Sequence, residues 1–363
     1  MSSMNHGQMA SKGLAGVVVD ETAISDVRAE GALIYRGHPI ETLVEQPFTQ
    51  VAALVVTGEL SARLDRFLAA HANLAPWETA AVLNLPETSH PMQVLSSLLP
   101  VLDTAPVHGL NGLDDDAVPG LVAAAKVPAL VATHLTRAEV HLDPALGYCE
   151  RFLRAINPDR VSPELLTAFN LAQVLQLEHS FNAGTFAARV VASTLADVQS
   201  AMAAGVGALS GPLHGGADQA AIEIADSLAD ASAARAYVDA TLAEGGRVPG
   251  MGHREYRARD PRARVLEAWA RRLVAAHPEH TQTLTILETL DGYFRERMSD
   301  AGKEVHANVE FYKGLVYRIV GLPNHFFTAG FAMARVFGYV AHFAESRLDN
   351  RIYRPAAHYV GPG

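Results

Sequence analysis

At 363 residues, the chain can form one large domain or two ordinary ones, and 49% hydrophobic against 19% charged residues gives it a substantial core without covalent staples. A net charge of −10 and the lack of a consecutive basic block exclude nucleic acid as the main partner, though a few arginines can still gather around an anionic substrate. The single cysteine, Cys149, excludes an intrachain disulfide and reads as a small buried apolar residue in a reducing, cytoplasmic setting.

The opening "MSSMNHGQMASKG" lacks the basic region and apolar run of a secretory signal. Short strands are expected at "GVVVDETAI" (16–24) and "ALIYRG" (32–37). Beyond them the chain reads as helix almost throughout. "TQVAALVVTGEL" ends at Gly58, a C-cap. "SPELLTAFNLAQVLQLEHSFNAGTFAARVVAST" (162–194) opens with Ser-Pro and carries Leu165, Phe169, Ala172 and Leu175 as an apolar stripe at helical spacing. "AAGVGALSG" (203–211) is helical in composition but broken by glycines, and Asp-Pro introduces a helix over 260–277. The apolar run at 326–344 is interrupted by Arg335 and His342, so it does not read as a membrane span. The expectation is an all-α fold with a small N-terminal β element. Glycine and proline turns at 211–216 and 320–325 divide it into a large domain (1–215 and 321–363) and a smaller one (216–320).

"GVGALSG" follows a helical stretch rather than a strand, so it is no dinucleotide fingerprint. The sixteen histidines are scattered without ligand spacing, and no metal site is expected. A lone histidine is most often a surface or satisfied core residue, but His214 in "SGPLHGGADQ" is better placed. Gly215 and Gly216 leave room for a ligand to approach, and a helix starting near Ala217 turns its free N–H groups and positive end toward the turn. That end disfavours imidazolium, so His214 should stay neutral and donate a hydrogen bond. His253 in "VPGMGHREYRARDPRA" follows Gly250 and Gly252. It precedes Arg254, Arg257, Arg259, Arg262 and Arg264, of which about two should do more than face water. Glu310 in "ANVEFYKG" sits between apolar neighbours that raise a carboxyl pKa and suit it to proton transfer; the plainer reading is an element edge facing water.

"GPLHGGA", "GMGHREYRARDPRA" and "NVEFYKG", in that order, resemble the three active-site segments of the citrate synthase family. "KGLAGVVVDETAISDV", "GALIYRGHPIETL", "LEHSFNAGTFAARVVAST", "GLPNHFFTAGFAMARVFGYVAH" and "RIYRPAAHYVGP" extend the resemblance over nearly the whole chain. It implies a citrate-synthase-like fold and an acyltransferase of the tricarboxylic acid cycle. Such an enzyme condenses oxaloacetate with acetyl-CoA, releasing citrate and free CoA, and needs no tightly bound cofactor. Propionyl-CoA, giving 2-methylcitrate, is the close alternative. A weakly active paralogue that only binds oxaloacetate or CoA is the alternative of another class.

Carried over by motif, Glu310 takes the α-proton, His214 hydrogen-bonds the thioester carbonyl, and His253 polarises the keto oxygen. His179, Arg262, Arg335 and Arg354 contact oxaloacetate, with Arg354 supplied by the partner of a homodimer. Arg257, Gly250 and Gly252 belong to the CoA side. The chain departs from the family pattern where Glu310 stands for the usual aspartate, Ala307 for a proline and Gly184 for a serine. The missing proline suggests a less rigid turn before Glu310.

Overall fold

The computed structural model describes residues 9–104 and 112–362; the first eight residues of the opening stretch, read above as lacking a secretory signal, lie outside them. Strands β1 (Ser25–Arg28), β2 (Ala32–Tyr35) and β3 (His38–Pro39) form a small antiparallel sheet in that order. The second expected strand is β2. The first is misplaced: 16–24 is not a strand, and Ser25 is the residue that pairs with Tyr35. The turn sets this register. Gly31, at φ +92°, donates to Arg28, and a side chain there would meet the Arg259 carbonyl at 2.8 Å.

The remaining described elements are helical. α1 (Ile40–Leu43), α2 (Phe48–Thr57), α3 (Arg63–Ala70), α4 (Pro76–Asn84) and α5 (Pro91–Leu98) lead into α6 (Val118–Thr136) and α7 (Tyr148–Ile156). Gly58 closes α2 in the left-handed conformation and donates to Leu54, as a C-cap glycine should. Among the described residues one stretch, Asp115–Thr136, is long and apolar enough to cross a membrane, and its most apolar part is 89% buried inside the fold as a core helix. Cys149 on α7 is buried, and burial pushes its thiol pKa up, as befits an inert core residue.

α8 (Pro163–Gln176) is capped by Ser162, which accepts the Leu165 N–H, and the predicted stripe from Leu165 to Leu175 is buried. The helix does not continue to 194. Ser180 adopts φ +49°, and the Asn182 side chain accepts the N–H groups of Gly184 and Thr185, starting α9 (Ala183–Ser193) afresh. His179 therefore lies in a break between helices rather than on one. α10 (Val198–Leu209) runs straight through the glycines of "AAGVGALSG". They do not break it, because a Cβ on Gly205 would lie 2.6 Å from the Tyr339 ring, so packing requires glycine there.

α11 (Ala217–Ser227), α12 (Ala231–Ala243), α13 (Pro261–Ala276), α14 (Thr281–Asp300), α15 (Val309–Ile319) and α16 (Phe327–Leu348) complete the fold. α16 is buried from Phe327 to Phe343 and packs on α2, α6, α9 and α10. α15 packs between α13 and α11. That arrangement brings the N-termini of three helices to one place.

Candidate functional site

Glu310 occupies the first turn of α15, where Asn308 caps the helix by accepting the Glu310 N–H at 3.0 Å. It is a helical residue, 5% exposed, and does not point to water. Its Oε2 accepts the N–H of Ala217, the first residue of α11, at 2.9 Å. Burial pushes the Glu310 carboxyl up to about 7, with nearby Lys313 opposing and Asp218 adding to that rise.

His214 lies three residues before Ala217, half-buried in the turn. Its imidazole is neutral at pH 7, with the pKa lowered to about 4, chiefly by burial and further by Arg335 and Lys313. The leading N–H of α11 donates to Glu310 rather than to His214. The two glycines also differ in task. A Cβ on Gly215 would meet the Leu209 carbonyl at 2.5 Å, and Thr328 donates to the Gly215 carbonyl. Gly215 thus seats the turn against the core, and only Gly216, whose nearest neighbour would be Pro212 at 3.9 Å, has open space beside it.

His253 is set by its own loop. Its Nδ1 accepts the N–H groups of Glu255 and Tyr256 at 3.0 and 3.2 Å, so a neutral ring must carry its proton on Nε2. The pKa is lowered to about 4 by burial and by Arg262. His179 meets the His253 ring edge-on, centroids 5.1 Å apart, and its Nε2 lies 3.1 Å from the Tyr256 hydroxyl. Burial first, then Arg262 and His253, push the His179 pKa well down. The N-terminal sheet positions the segment that carries His179. Ser25 Oγ donates to Glu178 and accepts the Ser180 N–H, while Tyr35 Oη lies 2.9 Å from the Glu178 carbonyl.

Arg262 is buried at the start of α13 and gripped by Asp260, Nε to Oδ1 at 3.0 Å and Nη2 to Oδ2 at 2.9 Å. Asp260 also caps α13 through the Arg262 N–H and accepts the Val309 N–H at 3.0 Å. One carboxylate thereby ties the arginine to the helix that carries Glu310. Buried Arg335 on α16 donates from Nε to the Gln176 carbonyl at 2.7 Å and lies over the Phe331 ring. Burial lowers its pKa, and the positive charge of Arg262 adds to that, so two guanidinium groups share one field beside neutral imidazoles.

Of the other arginines, exposed Arg254 donates to the Gly13 carbonyl, Arg259 pairs with Glu267 and Arg264 is exposed. Exposed Arg257 lines a small cleft of about 100 Å³ with Gly252, His253, Tyr256, Val305 and Ala307. Gly250 and Gly252 both have positive φ, and a side chain on Gly250 would strike Phe311 at 2.9 Å. Arg354 stands apart, exposed in the C-terminal tail with Nη1 on the Pro355 carbonyl. The structure joins His214, Glu310, His253, His179, Arg262 and Arg335 through shared neighbours, and Arg354 is not among them. No group of three or more His, Cys, Asp or Glu able to hold a metal occurs among the described residues.

The family model described as "Citrate synthase, C-terminal domain" matches residues 13–356. The chain belongs to the citrate synthase family. It is 35% identical to a citrate synthase of Synechocystis sp., covering 99% of this chain and 92% of that protein. It is 33% identical to a 2-methylcitrate synthase of Mycobacterium tuberculosis, covering 96% and 90%. Among solved structures, citrate synthase from Thermotoga maritima superimposes with a TM-score of 0.86 at 30% identity, covering 98% of this chain and 96% of that one. The citrate synthase of Thermoplasma acidophilum, solved as a ternary complex with carboxymethyl coenzyme A and oxaloacetate, gives 0.89 at 28% identity, covering 98% and 97%. The chain is an enzyme of the citrate synthase type.

Two departures from the family pattern now have physical accounts. A Cβ on Gly184 would lie 2.3 Å from the Tyr339 hydroxyl, which donates to the Gly205 carbonyl, so this packing has no room for serine. The turn at Ala307 is not loose. Gly252 donates to the His306 carbonyl and Asn308 to the Gly250 carbonyl, pinning the segment on both sides without using the Ala307 N–H.

Sequence reasoning missed Asp260 as more than punctuation, and it missed Tyr256, Asp218 and Lys313. The i, i+3 spacing of Glu310 and Lys313 was the available signal, because on a helix it puts both side chains on one face.

Proposed function

We propose that the chain condenses oxaloacetate with a short acyl-CoA, acetyl-CoA by preference, and hydrolyses the thioester to release citrate and CoA. The observation that carries this is the helix-to-helix bond between Glu310 and Ala217, which holds a carboxylate of near-neutral pKa beside the His214 turn. A thioester α-proton is too weakly acidic for a carboxylate acting alone. Glu310 removes it while neutral His214 donates a hydrogen bond to the carbonyl oxygen on which charge develops. The His253 Nε2–H polarises the keto oxygen under attack. His179, Arg262 and Arg335 hold oxaloacetate, whose two carboxylates answer the two guanidinium groups. Arg257, Gly250 and Gly252 line the CoA side.

Arg354 completes the oxaloacetate site from the partner of a homodimer. Ile352, Tyr359 and Val360, 59%, 72% and 90% exposed in the same tail, supply apolar surface for such a contact. The lobe 216–320 closes on the large domain about the turns at 211–216 and 320–325, expelling water from the reacting groups. The 2-methylcitrate synthase relative supports propionyl-CoA as the second reading. One methylene in a pocket is worth about 1–3 kcal/mol, so mixed specificity is expected.

Free CoA released with oxaloacetate plus acetyl-CoA or propionyl-CoA tests the proposal. A higher kcat/KM for acetyl-CoA supports the first reading and the reverse supports the second. Absence of turnover with either, with oxaloacetate still bound, leaves only a binding protein.

A further inference from the structure

The mechanism above leaves a buried charge pair without a task. Lys313 on α15 and Asp218 on α11 are both 0% exposed at their side chains. Lys313 Nζ lies 3.0 Å from Asp218 Oδ2, 3.9 Å from Glu310 Oε1 and 4.3 Å from the centre of the Phe331 ring. Nζ and Oδ2 form an ion pair without hydrogen-bond alignment. Such a pair is a poor source of stability, because desolvating two charges offsets most of their attraction and apolar residues of like volume often do as well. Its place beside one particular carboxylate is therefore the informative fact.

The charges have to be taken together. Lys313 alone would draw Glu310 into a tight ion pair and weaken it as a base. Asp218 alone would oppose its ionisation. We infer that Lys313 and Asp218 are positioning residues for Glu310: the ammonium steadies Oε1 opposite the Ala217 N–H on Oε2, and Asp218 anchors that ammonium and cancels most of its charge. The carboxylate is then held in place and still free to accept a proton. This inference rests on Glu310 being the base.

Other groups around Glu310 do not duplicate the pair. Arg262 on α13 lowers its pKa more weakly than Lys313 does. His214 in the turn is neutral, and Arg335 on α16 acts on His214. α14 offers Asp291, which is engaged by Tyr312 and Arg295. α8 offers the uncharged Gln173 and Gln176, both on the Tyr317 hydroxyl.

The test is the pH profile of kcat for Lys313→Met, Asp218→Asn and the double variant, with oxaloacetate affinity and Glu310→Gln measured alongside. Removing the cation should move the acid limb up by about one unit, and removing the anion should move it down by a similar amount. The double variant should return to within about half a unit of the native limb. Limbs that stay put, or move in the same direction in both single variants, overturn the inference, since a purely structural pair would lower stability without opposed shifts. If the single variants do not fold, the double variant decides: a limb near the native position supports the pair, and a displaced limb overturns it. Full turnover by Glu310→Gln would instead remove the base assignment itself. An inactive Glu310→Gln with unshifted limbs removes only the pair.

Discussion

The Ala217 backbone N–H donates to Glu310 Oε2 at 2.9 Å, joining residues 93 positions apart. Along the chain, the start of α11 adjoins His214, three residues upstream. In the fold it serves the carboxylate, and Glu310 also sits in the first turn of its own helix. Two helix N-termini therefore favour its charged form against burial. His214 is left with its ring free of that bond and neutral.

Glu310→Gln should lower turnover by at least about 10³-fold, the scale of a lost general base, while oxaloacetate affinity stays near native. Glutamine keeps an oxygen for the Ala217 N–H, so the fold around it should persist. Steady-state rates and calorimetric titration with oxaloacetate check this; severe loss of affinity would contradict the assignment of Glu310 to proton transfer.

The acid side of the kcat profile should show one ionisation near pH 7, belonging to Glu310 in its raised state. His214 and His253, held at about 4, stay neutral through that range and add no second limb. A profile falling as the square of proton concentration between pH 7 and 6 would count against this.

Stability should respond to the same groups with opposite signs. His214 and His253 are depressed from 6.5 to about 4, so their contribution is present above pH 6.5 and lost as pH falls toward 4. Glu310 is raised from 4.5 to about 7, so its contribution is present below pH 4.5 and lost as pH rises through 7. Two imidazoles outweigh one carboxyl, and urea midpoints should fall between pH 6.5 and 4. His214→Asn should flatten that decline, and Glu310→Gln should steepen it.

Arg262→Lys should raise the oxaloacetate KM by about 10- to 100-fold. An ammonium cannot keep the paired grip of Asp260 on Nε and Nη2 and also face a substrate carboxylate. Because Asp260 also holds the Val309 N–H, kcat should drop as well. An unchanged KM would place oxaloacetate elsewhere.

Gly184→Ser should destabilise the fold by about 1–3 kcal/mol, since its Cβ meets the Tyr339 hydroxyl. Tyr339→Phe in the same chain should restore part of the loss by removing that oxygen. Thermal melting of the single and double variants checks the pair, and no recovery in the double variant would mean that the clash is not with the hydroxyl.

Much of the site could be read from local chemistry. "GPLHGGA", "GMGHREY" and "NVEFYKG" mark three polar residues beside glycines or in apolar company, and the stripe of α8 follows from helical spacing. The errors share one cause. Residues 16–24 are rich in β-branched residues like a strand, yet the Gly31 turn pairs β2 with residues 25–28 instead. The run 162–194 is helical in period, yet the Asn182 side chain competes for the backbone and breaks it where His179 must turn inward. Gly205 in α10 looks like a helix breaker because the Tyr339 ring it accommodates lies more than a hundred residues away.

By itself, the sequence determined the helical character, the small N-terminal sheet, the family, and which residues are chemically able to act. Those properties depend on neighbours within about one helical turn, or on motifs whose order along the chain is preserved. Only the tertiary structure decided what each group meets: that the α11 N–H serves Glu310, that Asp260 ties α13 to α15, and that Lys313 faces Asp218. Such pairings arise when the packing of separate helices excludes water between them, and no local pattern specifies which distant partner then lies within 3 Å.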